Sequence, residues 1–467
     1  MKAIGILWNS MNKYTDMALN DINKFCKITD VISINFNELF SDFISKVYPY
    51  TGENLWKLKY KISHMDNIYE SNEIKIVFLD IPSTEKIFVE RKGIYIYKNV
   101  EELKNYIRNK YRNKVDNYAF DNVFHMTDDE KEYEETLKLV INYIINYFNI
   151  NKHIFDLDEI LYIKPEYFDK SLGKRNKLFL FDNQIIFKEK KAYSLENFSE
   201  VFCYHFFKKL DINNAEYYFS KYKNVDGVVT NNFINSEEIF IDGTKIIDAY
   251  LTYVETGKVK FNTENKHDIE LITRYNNIDD LKRIFEYFSS IYNIDLNIII
   301  NSLKKIFVID LLFFQSDRNP YNWGILINKT NNRAQLAPLY DNSNIFNFNK
   351  PDVLIKMIKN KDNEKLIYSL AMENNPTLLQ LHKGEDLFMP KSLLIENIDD
   401  DEIIQFMKEL IKKIDSYGLE NLVNEIINDF PKKMENNMFK NLIIKLLNVN
   451  ISLIKEKLSY NKIKLFK

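Results

Sequence analysis

The hydrophobic period of this 467-residue chain changes along its length, and the order of those changes constrains the fold more than any single motif. Residues 1–150 alternate short apolar runs at 3–8, 31–36 and 74–81 with stretches of helical spacing. Strands alternating with helices predict a small α/β domain with a partly parallel sheet. Two helical stretches, about 100–112 and 129–148, close it, and Thr127-x-x-Glu130 reads as a capping box for the second. From residue 152 short strands take over. Runs at 177–181 and 184–189 flank Asp182-Asn183, a hairpin turn. A helix over 195–210 and β-rich segments at 216–219, 225–234 and 238–241 follow. Beyond Thr244 helical spacing runs to the end, broken once at 317–346, which reads as loop, strand (323–327), turn, strand (335–339). The expected organisation is an α/β domain over 1–150, a β-rich lobe over 151–240 and a helical lobe over 241–467. A cleft between two such lobes is a common place for a ligand.

Composition sharpens the reading where it is skewed. Lysine outnumbers arginine 56 to 8, there are 58 asparagines, and glycine occurs only ten times. An AT-rich coding bias accounts for most of this. Against such a background a glycine, arginine or tryptophan stands out, and Asp317-Arg318-Asn319-Pro320-Tyr321-Asn322-Trp323-Gly324 holds one of each. With 64 basic and 67 acidic side chains the net charge is −3, which offers no footprint for coating nucleic acid. Cys26 and Cys203 alone exclude a disulfide scaffold and a cysteine-rich zinc module. No apolar run approaches the roughly 18 residues of a membrane span. The start, MKAIGILWNSMNK, turns polar too soon for a signal peptide. A cytoplasmic protein without membrane association is expected.

The skewed segment also carries chemistry. A helix over 296–314 buries Ile300, Leu303, Phe307, Leu311 and Phe314 and runs directly into Gln315-Ser316-Asp317. Asn322 follows five residues after Asp317, and Asp341 nineteen residues after Asn322. Two carboxylates and an amide on a loop and a strand end form a hard-oxygen set suited to Mg²⁺. Phosphoryl transfer from a nucleotide uses this inventory, together with a lysine on the phosphates. Lys188, in Ile185-Ile186-Phe187-Lys188 on a predicted strand, fits that lysine, and Glu200 in the next helix is placed to pair with it.

The runs SDRNPYNWGILI and LAPLYDNSNIF resemble the catalytic and metal-binding segments of HipA-like kinases, bacterial toxin-type serine/threonine kinases. The resemblance covers roughly residues 165–460 and is most specific over 310–346. It implies an α+β chain with a bilobal protein-kinase-like fold, a β-rich N-lobe and a helical C-lobe, preceded by the small α/β domain. It implies ATP and Mg²⁺ as cofactors, Asp317 as the catalytic aspartate, and Asn322 and Asp341 as metal ligands. Lys188 and Glu200 stand where the family places its ATP lysine and helix glutamate. Gly173, in Ser171-Leu172-Gly173-Lys174, stands at the phosphate-covering loop, and Asn232 and Phe233 at the hinge against adenine. The implied partners are a protein substrate carrying a serine or threonine hydroxyl and an antitoxin-like regulator. Asn319 departs from the family, which has histidine there; that histidine is usually a scaffold for the loop, and asparagine can still hydrogen-bond.

Other readings of the same residues are a nucleotide-binding pseudokinase that signals through 1–150, a small-molecule kinase and a lipid kinase. The loop lacks the histidine that usually precedes the aspartate in aminoglycoside and choline kinases. The helices over about 402–460 mix lysines with acids and read as bundle faces rather than a membrane surface. His125, in Asn122–Asp128, vaguely resembles the histidine-nucleophile segment of nucleoside diphosphate kinases but lacks its glycine. It reads as a structural residue before the helix that follows.

Overall fold

The computed structural model describes the chain except residues 37–38, 49–54, 70, 83–84, 90–93, 120, 152–153, 163–175, 191–194, 259–260, 262–263, 349–350, 360–364, 366–378, 383–390, 432–436 and 466–467. The chain is a mixed α+β protein that divides into two compact units. The first comprises Met1–Glu189 and Tyr218–Val229, the second Lys190–Tyr217 and Thr230–Lys467.

In the first unit the strands are β1 (Lys2–Leu7), β2 (Lys27–Asn35), β3 (Glu73–Asp80), β4 (Lys86–Val89), β5 (Ile94–Tyr97) and β6 (Phe124–Met126). The helices among them are α1 (Thr15–Ile22), α2 (Phe40–Val47), α3 (Leu55–Ile68), α4 (Lys98–Tyr111) and α5 (Glu130–Asn151). Successive strand side chains point to opposite faces, so a strand apolar on both parities must be covered twice. β1 and β3 do this. Ile4, Ile6, Ile74, Ile76 and Phe78 join a core with Phe40, Phe43 and Ile44 of α2 and Val140 and Ile144 of α5. Ala3, Leu7, Val77 and Leu79 join the opposite core with Leu19 and Ile22 of α1 and Leu103 and Ile107 of α4.

Two expectations fail here. The sheet, in the order β2-β3-β1-β6, is antiparallel at every pairing rather than partly parallel. Periodicity encodes which faces of a strand are buried but not its direction, and helical connections of this length serve either direction. The capping box is also displaced. Thr127 Oγ1 accepts from the Ile4 backbone N–H at 3.0 Å, a β-sheet role. Instead Asp129 Oδ1 accepts from Glu132 N at 2.8 Å, and Glu132 Oε2 accepts from Asp128 N at 2.6 Å.

A second sheet of this unit runs β7-β10-β11-β9-β8, from β7 (Phe155–Asp156), β8 (Lys177–Leu180), β9 (Ile185–Glu189), β10 (Tyr217–Tyr222) and β11 (Val225–Asn231). The β8–β9 hairpin turns where expected, with Phe181, Asp182 and Asn183 at φ 54°, 54° and 64°. Leu178, Leu180, Phe181, Ile185 and Phe187 extend the core that Ile4 and Ile6 begin. One apolar core therefore spans both sheets of the unit. After β7 comes a single helical turn, α6 (Leu157–Ile160).

The second unit holds the helices α7 (Glu196–Lys209), α8 (Gly243–Thr256), α9 (Ile269–Arg274), α10 (Ile278–Phe288), α11 (Leu296–Phe313), α12 (Pro351–Lys359), α13 (Lys391–Glu396), α14 (Asp401–Tyr417), α15 (Leu419–Asn428) and α16 (Asn437–Leu465). Its sheet has the order β12-β14-β15-β13, from β12 (Glu238–Asp242), β13 (Asn293–Ile294), β14 (Gly324–Asn328) and β15 (Arg333–Leu336). β14 and β15 form the antiparallel pair expected from 323–327 and 335–339. Side chains satisfy the exposed amides at several helix starts. Asp242, Asn277, Asp295 and Asp400 each accept from an amide in the first turn of α8, α10, α11 and α14. Among the described residues no helix is long and apolar enough to cross a membrane.

Candidate active site

The candidate site is assembled around one buried arginine. α11 is apolar throughout its last two turns except for Asp310, and it stops at Phe313 because Phe314 adopts a left-handed conformation, φ 52°. That reversal sends 315–322 back along the end of the helix, and Arg318 returns to Asp310. Both side chains are fully buried and their charges lie 3.1 Å apart. All five guanidinium N–H groups are used. Nε bonds to Asp310, Nη2 to Asp310 Oδ1 and Asn342 Oδ1 (2.8 Å), and Nη1 to the carbonyls of Asn322 (2.8 Å) and Tyr340 (2.9 Å). The planar fork of arginine suits such a role, since five donors in fixed directions can pin several segments at once. Burial works against the Arg318 charge, but the Asp310 carboxylate outweighs it and holds the guanidinium's pKa above its ordinary value.

Arg318 thereby joins the end of α11, the 317–322 loop and the 340–342 segment. The three residues expected to carry chemistry lie on these segments. Asn322 Nδ2 donates to the Asp317 carbonyl at 2.6 Å. The Asp317 carboxylate accepts from Asn319 Nδ2 at 2.6 Å on Oδ1 and from Asn344 Nδ2 at 2.7 Å on Oδ2. Asp341 sits in the left-handed region, φ 53°, which aspartate tolerates better than most residues. Its N–H donates to the Tyr217 hydroxyl at 3.1 Å, its carbonyl accepts from Gln315 Nε2 at 3.1 Å, and Oδ1 accepts from Ser343 Oγ at 3.3 Å. Asp317, Asn322 and Asp341 thus belong to a single hydrogen-bonded cluster.

Close packing fixes the entry to β14. Trp323 Nε1 donates to Asn276 Oδ1 at 2.9 Å, and Asn276 Nδ2 donates to the Arg318 carbonyl at 3.0 Å. Gly243, at the start of α8, lets the helix approach the Trp323 ring; a Cβ there would lie 2.6 Å from ring carbons. Gly324 does the same for β12, where a Cβ would lie 2.5 Å from the Ile241 carbonyl oxygen. The scarce glycine and tryptophan of the segment therefore have packing roles.

The other expected residues are spread over both units. Phe233 packs edge-on to Phe240 and against Tyr340, both at 5.6 Å between ring centroids, next to Asp341 in sequence. Asn232 Oδ1 accepts from Ile234 N at 3.1 Å. Lys188 is buried on β9 in the first unit, and Glu200 is buried on α7 in the second. Gly173 lies outside the described residues. His125 is buried on β6, its Nε2 3.7 Å from the Glu132 carboxylate. Asp310, Asn276 and Asn344 were not singled out from sequence. Asp310 had a signal, as the lone acid in the apolar run 306–314. The two asparagines had none, among 58.

Asn322 and Asp341 would make an open donor set rather than a closed cage. Among the described residues no group of three or more His, Cys, Asp or Glu side chains could enclose an ion. Asn322 and Asp341 suit Mg²⁺, which keeps several waters and takes only one or two protein oxygens when phosphates supply the rest. With Asn322 Nδ2 committed to the Asp317 carbonyl, Oδ1 would be the side-chain atom available to a cation. In donor chemistry the two residues fit Mg²⁺.

No family model matches the chain, and no curated protein matches it in sequence. Among solved structures the chain is similar to the Helicobacter pylori proinflammatory kinase CtkA, with a TM-score of 0.48 and 18% identity over 63% of this chain and 95% of that one. It is also similar to a structure of the Shewanella oneidensis MR-1 toxin–antitoxin system HipA, HipB and its operator DNA, with a TM-score of 0.31 and 11% identity over 90% of this chain and 84% of that one. These structural neighbours, at low sequence identity, are a kinase and HipA.

Proposed function

We propose that this chain is an ATP-dependent kinase that transfers the γ-phosphoryl group to a serine or threonine hydroxyl of a protein. The observation that carries the reading is the cluster of Asp317, Asn322 and Asp341, joined through Arg318, Gln315 and Asn344. Its two carboxylates and one amide match the inventory of phosphoryl transfer, and the sequence around them resembles HipA-like kinases. Asp317 orients the acceptor hydroxyl. That oxygen bonds to the γ-phosphorus as the bond to the β,γ-bridging oxygen breaks, and the hydroxyl proton passes late to the Asp317 carboxylate because the transition state is loose. Asn322 and Asp341 would hold Mg²⁺ through their side-chain oxygens. When bound, the ion would neutralise charge on the phosphates. Lys188, kept in place by Glu200, contacts the phosphates in this reading, while Gly173 covers them and Asn232 and Phe233 border the adenine.

The same reading makes 151–240 and 241–467 the two lobes of a kinase fold, with 1–150 as an added domain of separate role. It puts the protein in the cytoplasm, with an antitoxin-like regulator as a further partner. Incubation with labelled ATP and Mg²⁺ tests it, wild type against Asp317→Ala. Label on a serine or threonine that disappears in the variant supports the proposal. Equal transfer by both forms refutes the assigned site, and nucleotide binding without transfer to any protein, lipid or small-molecule pool marks a sensor instead.

A further inference from the structure

The two amides on Asp317 go beyond that reading while resting on it. Asn319 Nδ2 holds Oδ1 and Asn344 Nδ2 holds Oδ2, at 2.6 and 2.7 Å, so the carboxylate is gripped on both oxygens. Each asparagine is itself fixed. Asn319 Oδ1 accepts from Tyr321 N at 2.9 Å and caps the short turn Pro320–Asn322, whose proline restricts the backbone at its first position. Asn344 is buried and opens the turn Ile345–Asn347. Its segment is tied down by Arg318 to Asn342 and by the Leu195 N–H to the Phe348 carbonyl. The end of an aspartate side chain turns in a broad torsional well, so donors on both oxygens are what give it one orientation.

We infer that Asn319 and Asn344 are positioning residues for phosphoryl transfer, acting together to set the plane of the Asp317 carboxylate toward the acceptor hydroxyl. Asn319 thereby does the orienting work in a loop where the resembled family carries histidine. Asn344 reaches Asp317 from the segment that also carries Asp341, so one rigid stretch sets the positions of both carboxylates.

The test measures kcat and the KM for ATP of the full chain carrying Asn319→Leu, Asn344→Leu or both, with Asn319→His as the variant that keeps a donor. Each leucine is close to asparagine in size but donates nothing. Each single variant is expected to lose roughly 100-fold in kcat, the scale of a misplaced reacting group, with KM for ATP and the denaturation midpoint unchanged. Asn319→His should keep most of the activity. The double variant should fall little below the worse single one, because both amides act on one carboxylate. Wild-type kcat in both leucine variants overturns the inference, as does a loss that tracks the denaturation midpoint or KM. Should Asn344→Leu fail to fold, the half-buried Asn319 carries the same comparison alone. Absence of transfer by the wild type overturns the kinase reading itself; active wild type with active leucine variants overturns only the positioning role.

Discussion

At the scale of single residues, the buried Arg318–Asp310 pair ties together the end of α11, the 317–322 loop and the 340–342 segment. Removing one partner of a buried ion pair leaves an uncompensated charge and costs about 3–5 kcal/mol. Asp310→Asn keeps the shape and removes the charge, so it should lower the unfolding free energy by about that amount, read by chemical denaturation. Arg318→Lys should fare little better, since an ammonium cannot span the Asp310 carboxylate, Asn342 and two carbonyls. Unchanged stability in both would show that the pair is not the anchor. A second charged cluster offers a pH test. His267 Nδ1 lies 2.7 Å from buried Asp248, and Nε2 lies 3.0 Å from Glu255. Burial pushes the imidazole pKa down, but the two carboxylates outweigh it and hold it above its ordinary value. Burial likewise pushes the Asp248 pKa up, yet hydrogen bonds from His267 bring it below the usual carboxylate value. A raised imidazole pKa stabilises the fold fully below about pH 6.5 and loses that contribution as the pH climbs through the raised value. The stability gap between wild type and His267→Gln should therefore be widest between about pH 4.5 and 6.5, where the carboxylates are charged and the unfolded imidazole is protonated, and should narrow as the pH rises above that window, measured as thermal midpoints. A gap independent of pH would mean that folding leaves the imidazole pKa unchanged.

At the scale of elements, the scarce glycines divide by mechanism. Gly324 faces the Ile241 backbone across the β12–β14 pair, and backbone has little freedom to yield. Gly324→Ala should force the strands apart and cost about 1–3 kcal/mol as an overpacked site. Gly257 ends α8 at φ 67°, where an added Cβ would meet no described atom within 4 Å, so Gly257→Ala carries only the backbone term of about 1–2 kcal/mol. The two variants should also differ in kind. Gly324→Ala should disturb amide-exchange protection along β12 and β14, while Gly257→Ala should affect only the helix end. The opposite pattern would sink the packing account. The end of α11 follows the same logic: Phe314 takes the left-handed position that glycine usually fills, and its φ of 52° is what turns the chain toward Arg318.

At the scale of the whole molecule, the apolar core of the first unit crosses residue 150. Leu178, Phe181, Ile185, Phe187, Tyr222 and Val229 share one core with Ile4, Ile32 and Phe78. A fragment of residues 151–467 should therefore expose that surface and aggregate or unfold at a lower temperature than the full chain; a monodisperse fragment with the full-length thermal midpoint would argue against a shared core. Much of this protein was legible in its sequence. The strands at 3–8, 31–36 and 74–81, the Asp182-Asn183 hairpin, α11 and the β14–β15 pair were all readable, because period and turn chemistry are local properties. The cluster of Asp317, Asn322 and Asp341 was readable because scarce residues marked its loop. Strand direction, the cap at Asp129, and the partners Asp310, Asn276 and Asn344 were not readable. Each depends on what a backbone or side chain meets across the fold, and one sequence with 58 asparagines holds no record of which of them do so. The sequence by itself determined which residue types stand at the candidate site and in what order. The tertiary structure alone decided that a buried guanidinium holds those segments together and that two amides grip one carboxylate, since hydrogen-bond geometry exists only after distant segments have packed.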